Sequence, residues 1–486
     1  MTLEVLMVTI LITLVVILEN QMVTGYSMMG FKFRQKVLTK RTKMPNQEDK
    51  QFKQAIEMLK SEDSGERFRA IEILAHVNKA SAFQLLLQAL KDETYSVRLQ
   101  AATILGNLAD KRAIEPLIQA LEKDELGYTF NDALIKIGRP ALLPLVDNLN
   151  KTDNQETRKR IIRILGQLGE MDAYEPLIQT WDNTKDDNIH GSVALALGDL
   201  GDNRAVELLI QLLKNKSSVI RVNAAQGLGW LKNKKATEAL IEALMDQEQE
   251  VRQCAASSLG QIGDERAVKP LLQTLNENDN YTRMRAAEAL GRIGAIEALK
   301  PLFQIMLDSN DAACFSAAGG VGKLGNLALE HLLRLFNEDV SEEVYVRLIF
   351  ALGEGRSLQS VQLLGQVLND ETKPIHIRES ALNALAKIGG NQVIIPLLIA
   401  LNDKQKEIRD NVAKILGLLK NASAIQPLLE ALQVENNEQT VDIDYALTQF
   451  GEKAVLPLLD IYKQADEKLQ RRIAIILGDI GDTDLS

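Results

Sequence analysis

Four histidines, two cysteines and a recurring Gly-x-x-Gly pattern are the residues of this 486-residue chain that could hold a metal, supply a nucleophile or cradle a phosphate. Metal sites need histidine and cysteine at short, matched spacings. His76, His190, His331 and His376 are scattered, and none has a partner at such a spacing. Gly-x-x-Gly occurs at Gly166–Gly169, Gly198–Gly201, Gly260–Gly263 and Gly291–Gly294. A phosphate loop needs a strand before the glycines and a helix after them, and no segment here alternates apolar and polar residues as a half-buried strand does. No Walker motif, nucleophile elbow or Cys-x-x-Cys pair is present. The expectation is a chain with no catalytic residues, no metal and no cofactor of its own.

The glycines are better explained by what surrounds them. Arg221, Arg252 and Arg283 stand 31 residues apart, as do Arg67 and Arg98, and Arg378 and Arg409. Glycines follow eight residues after Arg98, Arg158, Arg221, Arg252, Arg283 and Arg409, at Gly106, Gly166, Gly229, Gly260, Gly291 and Gly417. A fixed period of this length is the signature of a solenoid, whose units bury their apolar faces only against their neighbours. In the clearest unit, Ala255, Ala256, Leu259 and Ile262 recur at helical spacing, and after Gly263 and Asp264 so do Val268, Leu271, Leu272 and Leu275. Gly263 suits the left-handed position that ends a helix, and Pro270 the first turn of the next one, where a missing N–H costs nothing. Each unit is predicted to be a pair of amphipathic helices.

The segments VRLQAATILGNLADKRAIEPLIQAL (97–121), VRQCAASSLGQIGDERAVKPLLQTL (251–275) and IRDNVAKILGLLKNASAIQPLLEAL (408–432) resemble the HEAT family, specifically the short HEAT-like repeats associated with phycobilisome lyases. The resemblance implies an all-α fold: a right-handed α-solenoid of about fourteen helical hairpins over residues 50–486. Some units depart from the pattern. Cys314 and His190 take the arginine position, Ala386 replaces the glycine, and Gly353 follows Arg347 by six residues. The repeat family includes deoxyhypusine hydroxylase, whose iron is held by His-Glu pairs. Here the histidines are followed by Val77, Gly191, Leu332 and Ile377, so that chemistry has no ligands in this chain.

Residues 1–18, MTLEVLMVTILITLVVIL, carry Glu4 as their one charge, and Lys32, Arg34, Lys36, Lys40, Arg41 and Lys43 follow without an acidic residue between them. At 1.5 Å per residue the apolar stretch is about 27 Å of helix, near the lower limit for a bilayer. A transmembrane helix at 1–19, a basic juxtamembrane linker at 20–49 and the repeats at 50–486 are expected. The positive-inside rule would then place the repeats in the cytoplasm. A monotopic segment lying on the membrane is the alternative. Cys254 and Cys314, two repeats apart, are too distant for a disulfide.

The chain has a formal net charge of −10, and its first fifty residues are basic, so the repeats are more acidic than the whole. Binding to nucleic acid is disfavoured on that ground. Asp92, Asp246 and Asp403 each lie six residues before Arg98, Arg252 and Arg409. An Asp-to-Arg ladder that satisfies the turn backbone is therefore expected. In HEAT-like folds the arginine-bearing helix lines the concave side. Positions two, five and nine after the arginine then share one stripe. That stripe supplies the partner-binding candidates: Arg160, Arg163, Gln226, Trp230, Ser257, Gln261, Arg285, Glu288, Arg292, Lys323, Lys387 and Lys414. It is net basic in a net acidic chain. One reading is a membrane-tethered, non-catalytic scaffold that binds an acidic protein segment, anchored on Trp230. The alternative, implied by the resemblance alone, is a phycobilin lyase or phycobilisome factor that handles a bilin near Trp230, Phe315 and Arg285. A solvated face of mixed charge would leave the stripe without a partner.

Overall fold

The structure is a computed structural model that describes residues 47–77, 80–123, 128–434 and 441–483. Among these residues there are 28 α-helices and no strand. The helices gather into two compact units whose described residues are 47–289 and 290–483. Within each unit the chain alternates between an arginine-row helix and a shorter helix entered, in most repeats, through a turn of 3-10 helix. This is the solenoid-like helical stack expected of the repeats. The expectation of a single-pass membrane protein is corrected: no helix among the described residues is long and apolar enough to cross a membrane. Residues 1–18, on which that expectation rested, lie outside the described residues.

The helix Gln249–Ile262 shows how local sequence builds the unit. Val251, Ala255, Ala256 and Leu259 are fully buried, on the one face that a 3.6-residue period produces. Gly263 closes the helix at φ +70°, a conformation that costs side chains with a Cβ energy. The Asp264 carboxylate then accepts the Arg266 N–H at 3.1 Å and caps the turn Glu265–Ala267. Pro270 lies in the first turn of the next helix, Val268–Thr274. Gly260 has a different purpose. A Cβ there would lie 2.6 Å from the Cα of Ala289, and one at Gly198 only 2.2 Å from the Cα of Gly227. The glycine eight residues after the arginine therefore lets neighbouring helices of the row touch backbone to backbone.

The arginine is the fourth residue of its helix in Tyr95–Leu108, Ser218–Leu231, Gln249–Ile262, Ile375–Ile388 and Lys406–Leu419. One guanidinium nitrogen reaches back to the turn before its own helix. Arg98 donates to the carbonyl of Asp92 at 2.8 Å, Arg252 to that of Asp246 at 2.8 Å, and Arg409 to that of Asp403 at 2.9 Å. The carboxylates of those aspartates face the arginine of the preceding repeat. Arg67 meets Asp92 at 2.9 Å, Arg221 meets Asp246 at 2.7 Å, and Arg378 pairs with Asp403. Arg252 in turn reaches Asp279 at 2.9 Å. Each rung thus ties two consecutive turns, and the aspartate adds a cap to its own turn, as where Asp246 accepts the Glu248 N–H at 2.9 Å. A second, exposed set of pairs crosses repeats at the start of the shorter helices: Arg204 to Glu175 at 3.3 Å and Arg266 to Glu238 at 3.0 Å.

These contacts make stability depend on acid. The Arg266 guanidinium holds the Asp264 carboxyl far below the usual carboxylate range, burial opposes this, and the Arg266 N–H and the Thr237 hydroxyl add to the lowering. A carboxylate whose folded pKa is depressed stabilises the fold above its unfolded pKa, near 3.9, and loses that contribution as pH falls towards the folded value. The unfolding temperature should accordingly decline below about pH 4. Asp264→Asn should show a shallower decline than the wild-type chain in thermal scans between neutral and acid pH. Identical pH profiles would show that this carboxylate is not responsible.

Candidate functional site

The stripe residues do not share one environment. Arg163, Arg285, Arg292, Lys323, Lys387 and Lys414 are exposed, whereas Arg160, Gln226, Trp230, Ser257, Gln261 and Glu288 are half-buried. Arg160 is held by its own fold: it donates to the carbonyl of Leu121 at 3.4 Å and faces Glu156 at 3.8 Å. Trp230, the expected anchor, stands at the C-terminal end of Ser218–Leu231 and offers only part of its ring to solvent. Arg285 is paired with Glu288 at 3.2 Å. Burial raises the Asp199 carboxyl above its ordinary range and the positive charge of Arg163 partly offsets the shift. Burial also pushes the Cys254 thiol up, helped by Glu250 and opposed by Arg285. Cys254 and Cys314 both carry free thiols.

His190 and Cys314 show how the stack manages without the arginine. His190 is the fourth residue of Asp187–Leu200, with Nε2 3.0 Å from the Trp181 carbonyl and its ring stacked on Trp181 at 4.0 Å. An imidazole is too short to span two turns, so the indole fills the space. At Cys314 the turn is instead served from the next repeat, where Arg347 donates to the Ser309 hydroxyl at 2.8 Å and approaches the Asp308 carbonyl at 3.5 Å. Arg347 is the sixth residue of Glu342–Gly355, and the fourth is Tyr345. Tyr345 therefore occupies the arginine position, packed on Phe336 at 4.6 Å with the Lys373 ammonium 5.0 Å from its ring centre.

That register brings Phe350 and Glu354 onto the stripe, five and nine residues after Tyr345. Sequence reasoning missed both because it aligned the repeat on Arg347. Counting eight residues back from Gly353 would have found them. Phe350 lines a cleft of about 200 Å³ together with Phe315, Val346, Ile349, Gly353, Ser380, Asn383, Ala384 and Lys387. Of the residues proposed for a bilin, Phe315 lies here, in the unit 290–483. Trp230 and Arg285 belong to the unit 47–289. Among the described residues no three His, Cys, Asp or Glu side chains gather as a metal site requires.

A family model described as HEAT repeats matches residues 52–135, 142–221, 206–284, 238–319, 268–345 and 329–408, more than half of the chain. Among curated proteins, deoxyhypusine hydroxylase of Drosophila melanogaster is 32% identical over 110 residues, which is 22% of this chain and 36% of that protein. The Arabidopsis thaliana hydroxylase is 35% identical over 89 residues, 18% of this chain and 28% of that one. The chain thus spans only about a third of the length of these relatives. Among solved structures, the CpcE–CpcF complex of phycocyanin lyase from Nostoc aligns at a TM-score of 0.26 and 22% identity, covering 57% of this chain and 94% of that one. Yeast importin-beta aligns at 0.45 and 13% identity, covering 89% and 72%. At such scores neither likeness bears on function. The repeat, its helical stack and the family match agree, and the chain belongs to the HEAT-repeat family.

Proposed function

We propose that this chain is a non-catalytic scaffold that binds an acidic protein segment along the stripe of its arginine-row helices. The observation that carries this reading is the exposure of Arg163, Arg285, Arg292, Lys323, Lys387 and Lys414 on that stripe, in a chain whose net charge is −10. Opposite charge on a partner would steer encounter and fix register. Reversing two cations within one unit, as Arg163→Glu with Arg285→Glu, should abolish capture of the native partner without loss of helicity. Lys323→Glu with Lys414→Glu should do the same in the other unit. Lys269→Glu, an exposed change on a shorter helix, should leave capture intact. Added salt should weaken it, because open charges are screened over about 8 Å at physiological ionic strength. Capture that survives both stripe reversals would put the interaction elsewhere.

The hydroxylase reading fails on residues. None of the four histidines is followed by glutamate. A bilin-handling reading draws less support than the scaffold, since the cleft beside Phe315, about 200 Å³, is smaller than the roughly 300 Å³ at which small-molecule pockets begin.

A further inference from the structure

Beside the cleft at Phe315 and Phe350 one stripe position carries no side chain. Five residues after the arginine position the stripe carries Arg163, Gln226, Ser257, Glu288, Asn383 and Lys414, but in the helix Cys314–Lys323 it carries Gly319. A Cβ at Gly319 would meet Phe350 Cε1 at 3.5 Å, so any longer side chain there would project over the Phe350 ring. Phe350 is 36% and Phe315 52% exposed, the two rings meeting edge to face at 6.2 Å. Exposed aromatic rings are what binding surfaces use as apolar contact area.

The rim has a sign. Lys387 stands 5.6 Å from the centre of the Phe350 ring and pairs with Glu354. Glu354 is half-buried, while Lys323, Lys387 and Lys414 on the stripe of the same unit are exposed. Lys387 is the one charged side chain lining the cleft, and the exposed charges of the stripe in the same unit are positive. Asn383, also exposed, adds an amide able both to donate to and to accept from a peptide backbone.

We propose that this cleft is the anchor site of the stripe, taking one aromatic or large aliphatic side chain of an extended acidic segment while the flanking carboxylates face Lys323, Lys387 and Lys414. The proposal rests on the scaffold reading and gives it a specificity-determining element. One anchor in a desolvated pocket commonly dominates the energy of such an interface. The partner class is thus an acidic segment punctuated by a Phe, Tyr, Trp or Leu, and a uniformly acidic segment would bind less well.

A short fluorescein-labelled peptide of aspartate and glutamate around a central phenylalanine, titrated against the full chain by fluorescence anisotropy, tests this. Exchanging the central phenylalanine for alanine should weaken binding by about tenfold or more, and this comparison needs no variant of the protein. Phe350→Ala and Gly319→Leu, the second pressing a side chain against the Phe350 ring, should each reproduce that loss. Phe350→Leu serves as a milder replacement should the alanine variant unfold. Equal binding of the two peptides, or wild-type affinity in Gly319→Leu, overturns the cleft. If Lys323→Glu with Lys414→Glu still abolishes binding in that case, the scaffold reading survives without it. A lysine-flanked peptide that binds as well as the acidic one overturns the charge assignment. Self-association in sedimentation that is lost in Phe350→Ala would make the occupant a second copy of the chain and overturn the proposal.

Discussion

Arg378→Ala is expected to destabilise the chain by about 3 to 5 kcal/mol, the usual cost of removing one partner from a buried ion pair. Arg378 and Asp403 are 2% and 8% exposed, so the carboxylate left behind would be held away from water without its counter-charge. The same change removes the 2.8 Å hydrogen bond from Arg378 Nε to the carbonyl of Leu368, leaving that turn unsatisfied. The double variant Arg378→Ala with Asp403→Ala should lose less than the two single losses added together, because neither charge then remains alone. Stacked repeats need not unfold in one step. Hydrogen exchange in the helix Ile375–Ile388 is therefore the measurement to make beside denaturant unfolding. Wild-type protection in Arg378→Ala would remove the ladder from the account of stability.

Leu259→Ala should cost about 2 to 5 kcal/mol, the transfer energy of the lost methyl groups plus that of the cavity they leave. Leu259 is fully buried and lies one residue before Gly260, where a Cβ would come within 2.6 Å of the Cα of Ala289. Two backbones packed too closely to admit a Cβ cannot close further on a void, so the loss should fall towards the upper end of the range. Lys269→Ala, on an exposed position, should change stability by no more than about 0.5 kcal/mol. Urea midpoints of the two variants decide the matter. A Leu259→Ala midpoint indistinguishable from that of the wild-type chain would mean that the leucine is not packed as described.

The helical pairs were legible because every local signal repeats: the apolar spacing around Leu259, the left-handed Gly263 and the early Pro270 agree about where each helix starts and stops. The offset of the ladder was not legible. The residue that shares a turn with Asp246 is Arg252, six positions away, but its carboxylate partner Arg221 is 25 positions away, and only the stacking of one repeat on the next brings the two together. A single substitution hid the Phe350 cleft in the same way. With Tyr345 in the arginine position and Arg347 two residues later, matching on residue type moved the register by two and put Phe350 off the stripe. Exposure was harder still to foresee, as Arg160 and Arg163 read alike in the sequence yet the first is half-buried against the Leu121 carbonyl and the second is exposed.

Because Arg67, Arg221, Arg252 and Arg378 are each bound to a carbonyl before their own helix and to a carboxylate of the repeat ahead, the two ends of a fragment cut at one of these rungs are unequal. A fragment ending between Arg221 and Asp246 would carry a guanidinium stripped of both of its carboxylate contacts, 2.7 and 2.8 Å in the intact chain. A fragment beginning after Arg221 would keep Asp246 in use, its carboxylate still accepting the Glu248 N–H and its carbonyl still bound by Arg252. Trimming from the front should therefore be tolerated better than trimming from the back, and a library of nested deletions would show survivors clustered on one side.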